Sequence, residues 1–482
     1  MEALSPYLFG LYFLIVLAVC IRIIKNTETP SKGLAYLLLV VSFPIIGIIF
    51  YLSVGFNYRK QKLYQKKIEI DEKTFPELEE KATGYSKNIL TKLESKLEYF
   101  YSLANLRFDK SILSDNNSVE LFINGETKFP AVLEDLHQAK HHIHIEYYIY
   151  ENDKIGNQIA EILIKKAKEG VKVRFIYDDF GSRSIRNQLV KKLIKAGIEA
   201  YPFYKINLIQ FANRINYRNH RKIIIIDGYI GYVGGINVSD KYINTDSGKL
   251  FWRDTHMKIV GTSVLNLQFI FLTDWNFCAQ QNLPFSESYF PLQIESKSFG
   301  NQLVQIVASG PDYDYQTTMY SLIQSILSTK KELLITTPYF IPDKSFLDAL
   351  KISALSGVDI KLLVPGVSDS FVVNTTSQSF YEELMKSGIK IYRYQKGFVH
   401  AKTLVCDRKV SIVGTVNLDN RSFDLNFELN AIVYDTKIAE QLTQYFFQDL
   451  EHSKELTLHE WKQRPFYMKA AERTLHLFSA LM

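Results

Sequence analysis

His220-Arg-Lys222-Ile-Ile-Ile-Ile-Asp227 is followed by Gly234-Gly235-Ile-Asn237. Further on, His400-Ala-Lys402-Thr-Leu-Val-Cys-Asp407 is followed by Gly414-Thr415-Val-Asn417. Asn237 lies 17 residues after His220, and Asn417 lies 17 after His400. A carboxylate follows each block, in Phe251-Trp-Arg-Asp254 and in Asn426-Phe-Glu428. Agreement this long without a gap indicates a tandem duplication.

Around the two blocks, strand and helix patterns alternate in the same order. His142–Tyr150 reads as strand, Ile155–Lys168 as amphipathic helix and Val171–Tyr177 as strand, with Gly170 ending the helix. Leu333–Phe340, Lys344–Leu355 and Val358–Val364 repeat that order, with Gly357 as the stop. The pattern predicts an α/β fold, two tandem units of mixed sheet flanked by helices and related by a pseudo-two-fold axis. The expected units are 111–295, with its motif at 215–242, and 296–482, with its motif at 395–422. Residues 58–110, charged and helix-prone, read as a linker.

The first 57 residues read as a transmembrane hairpin. Ala3–Ile21 and Gly33–Asn57 carry no charge over nineteen and twenty-five residues, and a bilayer core of about 30 Å needs roughly 20 apolar helical residues. A signal peptide fits poorly, because no basic segment precedes the first stretch. Arg59, Lys60, Lys62, Lys66 and Lys67 follow the second stretch, against Arg22, Lys25 and Lys32 near the turn. The positive-inside rule then places the long remainder in the cytoplasm, with the turn on the far face.

Composition excludes other classes. The 482 residues are 47% hydrophobic and 22% charged, with 57 Lys plus Arg against 51 Asp plus Glu, a formal net charge of +6. These proportions exclude a disordered chain, a coiled coil and a collagen repeat. The mild positive charge suits acidic lipid headgroups and gives no reason to expect nucleic acid. Three cysteines, Cys20, Cys278 and Cys406, are too few for a disulfide framework and lack metal spacing.

The repeated residues suit phosphoryl chemistry. Residues two apart on a strand share a face, so His220 and Lys222 project together, as do His400 and Lys402. Asp227 and Asp407, an odd number of positions away, read as mainly structural, available to pair with the other half. Two lysines brought together require an anion between them, and phosphate supplies it. Asn237 and Asn417 add neutral donors to the phosphate oxygens. One imidazole can attack phosphorus while the other protonates the leaving alcohol. Asp254 and Glu428 are the candidates to orient the imidazoles. The lysines make a metal unnecessary, and no cofactor is expected. His141-His142-Ile-His144 lacks convergent ligand spacing and reads as a strand edge. Arg214-Ile-Asn-Tyr217-Arg218-Asn219 reads either as a solvated loop or as a contact for lipid phosphates. Trp461–Met482 reads as a helix packed on its own unit, or as an interfacial amphipathic helix.

The paired His-x-Lys-x4-Asp motifs resemble the phospholipase D superfamily over about Leu121–Leu450. With the N-terminal hairpin, Ile145-Glu-Tyr-Tyr-Ile-Tyr150, Tyr217-Arg-Asn-His-Arg-Lys222, Trp252-Arg-Asp-Thr-His256, Thr337-Pro-Tyr-Phe340 and Asn417-Leu-Asp-Asn-Arg-Ser-Phe423, the chain is similar to bacterial-type cardiolipin synthases. The resemblance implies reversible phosphatidyl transfer between two phosphatidylglycerol molecules in the cell membrane, giving cardiolipin and glycerol through a phosphatidyl-histidine. It implies an active-site set of His220, Lys222, Asp227, His400, Lys402 and Asp407, with the N-terminal histidine as nucleophile. Other readings are a membrane-bound phospholipase D that hydrolyses lipid, a phosphatidylserine synthase-like transferase, and a non-catalytic lipid-binding scaffold.

Overall fold

Lys222–Ile226 is buried at every position, so both faces of this strand must be covered. Ile223 and Ile225 pack into one core cluster, while Ile224 and Ile226 pack into another on the opposite face, as the two-residue period of a strand requires. The computed structural model that shows this describes residues 5–27, 30–52, 67, 76–106, 111–204, 217–245, 249–283, 288–291 and 297–482.

The first repeat contributes β1 (Ile112–Ile123), β2 (His142–Tyr147), β3 (Lys172–Tyr177), β4 (Glu199–Pro202), β5 (Lys222–Ile226), β6 (Ile230–Gly234), β7 (Phe251–Arg253) and β8 (Thr255–Gly261). The second contributes β9 (Gln302–Ser309), β10 (Glu332–Thr336), β11 (Phe340–Ile341), β12 (Asp359–Pro365), β13 (Lys390–Tyr394), β14 (Gly397–Val399), β15 (Thr403–Cys406), β16 (Val410–Gly414), β17 (Leu418–Asp419), β18 (Glu428–Tyr434) and β19 (Ser453–Leu456). Fifteen of these form one sheet, in the order β19-β13-β12-β10-β15-β16-β18-β9-β1-β8-β6-β5-β2-β3-β4. From the centre outward the two halves read β1-β8-β6-β5-β2-β3-β4 and β9-β18-β16-β15-β10-β12-β13, the same order twice. β1 and β9 pair antiparallel, Ile112 opposite Ile306, so the pseudo-two-fold axis passes between them.

One face of the sheet is shared. Leu267, Phe271 and Trp275 of helix Val264–Ala279 and Ile438, Leu442 and Phe446 of helix Thr436–Glu451 enter a single cluster with strands of both halves. The other face is covered separately: Asn124–Gln138 and Lys154–Lys168 pack on the first half, Thr317–Ser328 and Lys344–Leu355 on the second. The halves therefore share one core on one side and keep their own on the other.

The expected linker is part of this body where it is described. Helix Pro76–Leu97 packs Ile89, Leu90 and Leu97 with Leu113 of β1 and Leu303 of β9. The apolar side chains are the reason: a free linker would leave them in water. Arg59, Lys60, Lys62 and Lys66 lie outside the described residues. Lys67 is only 1% exposed and pairs with Asp274 and Asp312, so it is no part of a solvated basic flank.

The hairpin also departs from the expected pair of spans. The first limb is one helix, Ser5–Asn26. The second breaks into Pro30–Ser42 and Pro44–Phe50, because Pro44 has no N–H to donate and its ring clashes with the preceding turn. Gly47 fits inside the bend, where a Cβ would collide with the backbone of Leu39 and Val40. Among the described residues, no helix is long and apolar enough to cross a membrane. The turn also lies against the rest of the fold: Lys32 pairs with Asp424, and Leu481 packs against the cluster of Ile23, Tyr36, Val40 and Tyr51. Leu11, Phe13, Leu14, Ile24, Leu34, Val41, Ile45 and Ile46 project their apolar side chains outward.

The interface between halves holds buried charge. Arg221 is fully buried and pairs with Asp274, which also meets Lys67. Asp274→Ala would strand Arg221 in the core and leave Lys67 with Asp312 alone, and should cost about 3–5 kcal/mol. Thermal unfolding of the variant should show a clear loss in Tm, and an unchanged Tm would refute the role given to this pair.

Candidate active site

Each histidine sits just before a strand, β5 or β15, that its lysine opens or immediately precedes, and each is fixed by the other half. The backbone N–H of His220 donates to Phe427 O (2.9 Å), and that of His400 to Arg253 O (2.7 Å). Phe427 precedes Glu428 and Arg253 precedes Asp254, so the same crossing brings a carboxylate to each ring. His220 Nδ1 lies 3.0 Å from Glu428 Oε2, and His400 Nδ1 lies 2.7 Å from Asp254 Oδ2. The crossing is extended by β7 and β14, which pair in parallel from Gly397–Phe251 to Val399–Arg253.

A carboxylate only accepts, so Nδ1 of each imidazole carries the proton and Nε2 keeps a lone pair. Burial lowers the pKa of His220, opposed by Glu428 and assisted by Lys222. Burial and Lys402 lower His400 to about 3 against the pull of Asp254. Burial alone would raise the two carboxylates, but His400 and Lys402 bring Asp254 below its usual range, and His220 and Lys222 do the same for Glu428. The resting pairs are therefore neutral imidazole with carboxylate anion.

The lysines turn back onto the backbone of their own histidines. Lys222 Nζ donates to His220 O (2.7 Å) and Lys402 Nζ to His400 O (2.5 Å). Burial lowers Lys222 to about 7, with Lys402 adding to the shift, and burial lowers Lys402 to about 8. His220, His400, Asn237 and Asn417 line one cavity of about 490 Å³. Asn237 is partly committed: its Oδ1 accepts from Ile149 N (3.1 Å) and its Nδ2 donates to Tyr242 OH (2.8 Å). Asn417 Oδ1 is buried without a protein partner. The cavity thus offers two imidazole lone pairs and an available amide, while Lys222 and Lys402 are not among its lining residues.

Asp227 and Asp407 do not join this set, which corrects the placement that the resemblance implied. Both lie beyond the far ends of β5 and β15 with φ of +53° and +51°. Five strand residues from the lysine is about 16 Å. Asp227 accepts from the backbone N–H of Lys140, His141 and His142 at 2.7–3.0 Å. Asp407 accepts from Lys330, Lys331 and Glu332 at 2.7–2.8 Å. Each ties the turn after one strand to the start of its neighbour within its own half, rather than pairing with the other half.

Other motifs resolve differently. His142 and His144 are buried and share Gln268 Oε1 at 2.9 and 3.1 Å; among the described residues no cluster of metal ligands forms. Arg214, Ile215 and Asn216 lie outside the described residues, while Tyr217 is buried and Arg218 lines the cavity. Helix Phe466–His476 packs near helix Phe371–Gln378, with Ser379 Oγ 2.9 Å from His476 Nδ1. Phe466 and Tyr467 stay exposed, and Leu481 and Met482 reach the cavity.

The cavity has residues that the repeat did not announce. Tyr148 lies edge-on to His220 at 5.0 Å, and Trp252 edge-on to His400 at 5.4 Å. Arg421, Tyr339 and Asp369 complete the polar wall. Trp252 and Arg421 stood inside quoted motifs without a role, and Arg218 stood in the stretch read as a solvated loop or a contact for lipid phosphates; Asp369 carries no sequence signal. The supports of the two carboxylates also differ. Thr415 Oγ1 donates to Glu428, whereas a Cβ on the matching Gly235 would collide with Asp254 Oδ1.

Asp254→Asn and Glu428→Gln should each lower kcat by about 10²–10⁴, because an amide N–H facing Nδ1 favours the tautomer that loses the Nε2 lone pair. Gly235→Ala should reproduce the Asp254 defect by displacing that carboxylate. Steady-state kinetics check this, and a change confined to KM would refute the orienting role. The low lysine values set a pH dependence. Above about pH 7–8 the free enzyme loses an ammonium, so kcat/KM should fall about tenfold per pH unit. A bound phosphate raises both lysines, so the limb in kcat should lie higher. A kcat/KM profile flat to pH 10 would contradict it.

Comparison with known proteins gives a consistent result. The family described as "Cardiolipin synthase, PLD-like domain" matches residues 132–259 and 322–450, one segment in each half. The chain is 40% identical over 471 residues to the cardiolipin synthase of Alkalihalophilus pseudofirmus, covering 98% of this chain and 93% of that protein. It is 39% identical over 487 residues to the major cardiolipin synthase ClsA of Bacillus subtilis (strain 168), covering 100% of both. Among solved structures, the phosphatidylserine synthase of Haemophilus influenzae Rd KW20 matches with a TM-score of 0.58 at 14% identity, over 76% of this chain and 95% of that one; at that identity the likeness concerns the fold.

Proposed function

The chain belongs to the cardiolipin synthase family of phospholipase D-like enzymes; it is a phosphatidyltransferase, and we propose that it joins two phosphatidylglycerol molecules into cardiolipin and glycerol by double displacement on histidine. One observation carries the reading: two imidazoles open into one cavity, each held by a carboxylate from the opposite half.

Lys222, Lys402 and Asn417 receive the phosphate of the donor lipid, as does Asn237 through the part of its amide left free. The arriving anion raises the neighbouring basic groups, and His400 takes up the proton it needs to act as an acid. His220 Nε2 attacks phosphorus, the bond from phosphorus to the glycerol headgroup breaks, and the glycerol oxygen takes the proton from His400 Nε2. The second phosphatidylglycerol then gives a hydroxyl proton to His400 as its oxygen attacks phosphorus. The phosphorus–nitrogen bond breaks, its electron pair returns to Nε2, and cardiolipin leaves. One phosphodiester replaces another, so the exchange is near thermoneutral and reversible. Asp227 and Asp407 act from a distance, holding the strand ends that position the lysines.

The hairpin seats the enzyme in the cell membrane, with its outward apolar side chains in hydrocarbon and the catalytic body at the cytoplasmic surface. An exposed apolar surface of this size is otherwise costly in water. The lipid substrate is concentrated at that surface, which favours a lipid hydroxyl over water as acceptor.

Purified full-length protein given phosphatidylglycerol alone should form cardiolipin and glycerol in equal amounts, and added glycerol should reverse the reaction. His220→Ala and His400→Ala should each lower turnover at least about 10³-fold. Phosphatidic acid as the main product would make the protein a hydrolase, and a requirement for a cytidine-activated lipid would exclude phosphatidylglycerol as donor.

A further inference from the structure

The cavity opens beside an apolar surface that the chemistry on the histidines leaves unused. Strand β12 ends at Pro365, and the chain after it runs along the cavity rim into helix Phe371–Gln378. Two side chains of this segment, Asp369 and Val373, line the cavity. Three others turn away from it: Val367, Phe371 and Val372 are 45%, 77% and 44% exposed. Because cavity-lining and exposed residues alternate within seven positions, the exposed ones stand at the cavity mouth. Leu355 is a contrast. It is 75% exposed, but it ends helix Lys344–Leu355 shortly before β12 begins, at the opposite end of the sheet.

Direct contacts join this rim to the hairpin. Thr376 Oγ1 donates to Val372 O (2.9 Å) and lies 3.4 Å from Met482 Sδ. Leu481 and Met482 line the cavity with Val373, and Leu481 packs with Ile23, Tyr36, Val40 and Tyr51 of the hairpin. Apolar surface therefore continues from the hairpin, through Leu481 and Met482, to Val373 and the exposed Phe371 and Val372. Whatever medium receives the outward apolar side chains of the hairpin lies next to this rim as well. An exposed Phe–Val pair on such a continuous surface marks a contact that water does not satisfy.

We propose that Phe371 and Val372 form a lip that enters the lipid bilayer at the cavity mouth, with Leu481 and Met482 as the apolar floor between lip and hairpin. This rests on the reading that the hairpin lies in the membrane, and adds how the cavity is turned toward it. One anchor leaves the body free to tilt over the surface. A second apolar contact at the mouth removes that freedom and keeps the histidines above the lipid headgroups. A lipid then lifts its phosphodiester past Val373 and Met482 while its acyl chains stay in hydrocarbon.

Insertion is read directly with Phe371→Trp in the full-length protein, on phosphatidylglycerol vesicles whose acyl chains carry bromine. The fluorescence added by that substitution should lose about half of its intensity or more, while that added by Leu355→Trp should be unaffected. An indole at position 371 that stays unquenched on vesicle-bound protein overturns the lip. Its use is read as the ratio of cardiolipin formation from bilayer vesicles to that from short-chain phosphatidylglycerol dispersed as monomers. In the double variant Phe371→Ser, Val372→Ser the ratio should fall at least about fivefold; in Leu355→Ser it should stay at the wild-type value. An unchanged ratio in the double variant, whether both rates fall or neither does, overturns the lip. If quenching is absent and the double substitution turns a dimer in detergent into a monomer, the surface belongs to a second copy of the chain and the proposal fails. Wild-type protein that does not float with the vesicles refutes the hairpin reading and the lip with it. Protein that floats but makes no cardiolipin refutes the transferase reading, and the quenching alone then decides the lip.

Discussion

Each of the two imidazoles in the cavity is held by a carboxylate from the other repeat, and much of the structure serves that exchange. Neither half can orient its own histidine: Glu428 reaches His220 and Asp254 reaches His400. The β1–β9 pairing that fuses the two sheets, the shared core beneath them and the β7–β14 crossing all fix the distance between donor and acceptor. A duplicated domain that separated from its twin would keep every motif residue and lose both tautomers. The buried Arg221–Asp274 pair belongs to the same constraint, since it is costly to break and sits at the junction.

The lysines show how the site is tuned. Burial draws the two ammoniums toward neutrality, Lys222 to about 7 and Lys402 to about 8. An anion nearby would reverse that drift by supplying the missing counter-charge. Both imidazoles are held neutral by the same burial. Because the carboxylates face Nδ1, neither occupies the path to Nε2.

Pseudo-symmetry is incomplete at the cavity. Thr415 braces Glu428 where Gly235 leaves room for Asp254, and Tyr148 abuts His220 where Trp252 abuts His400. The C-terminal segment breaks the symmetry further, since Leu481 and Met482 line the cavity and Leu481 also packs on the hairpin.

The sequence by itself determined the duplication, the strand–helix order and the composition of the site. The period-two isoleucines and the repeated 17-residue spacing are local patterns, and local patterns survive in one dimension. It also placed Asp254 and Glu428 near the imidazoles, but not which carboxylate meets which ring, because that depends on how two distant segments cross. The same limit applies to Asp227 and Asp407: alternation showed them off the lysine face, while only the left-handed turn and its three backbone donors revealed their place. The uncharged lengths near the start read as two spans, while the break at Pro44 and the Lys32–Asp424 pair belong to the tertiary structure. Arg218, Arg421 and Asp369 lie far apart in the chain and meet only across the cavity. Their shared position is fixed by long-range packing, to which neither periodicity nor spacing is sensitive.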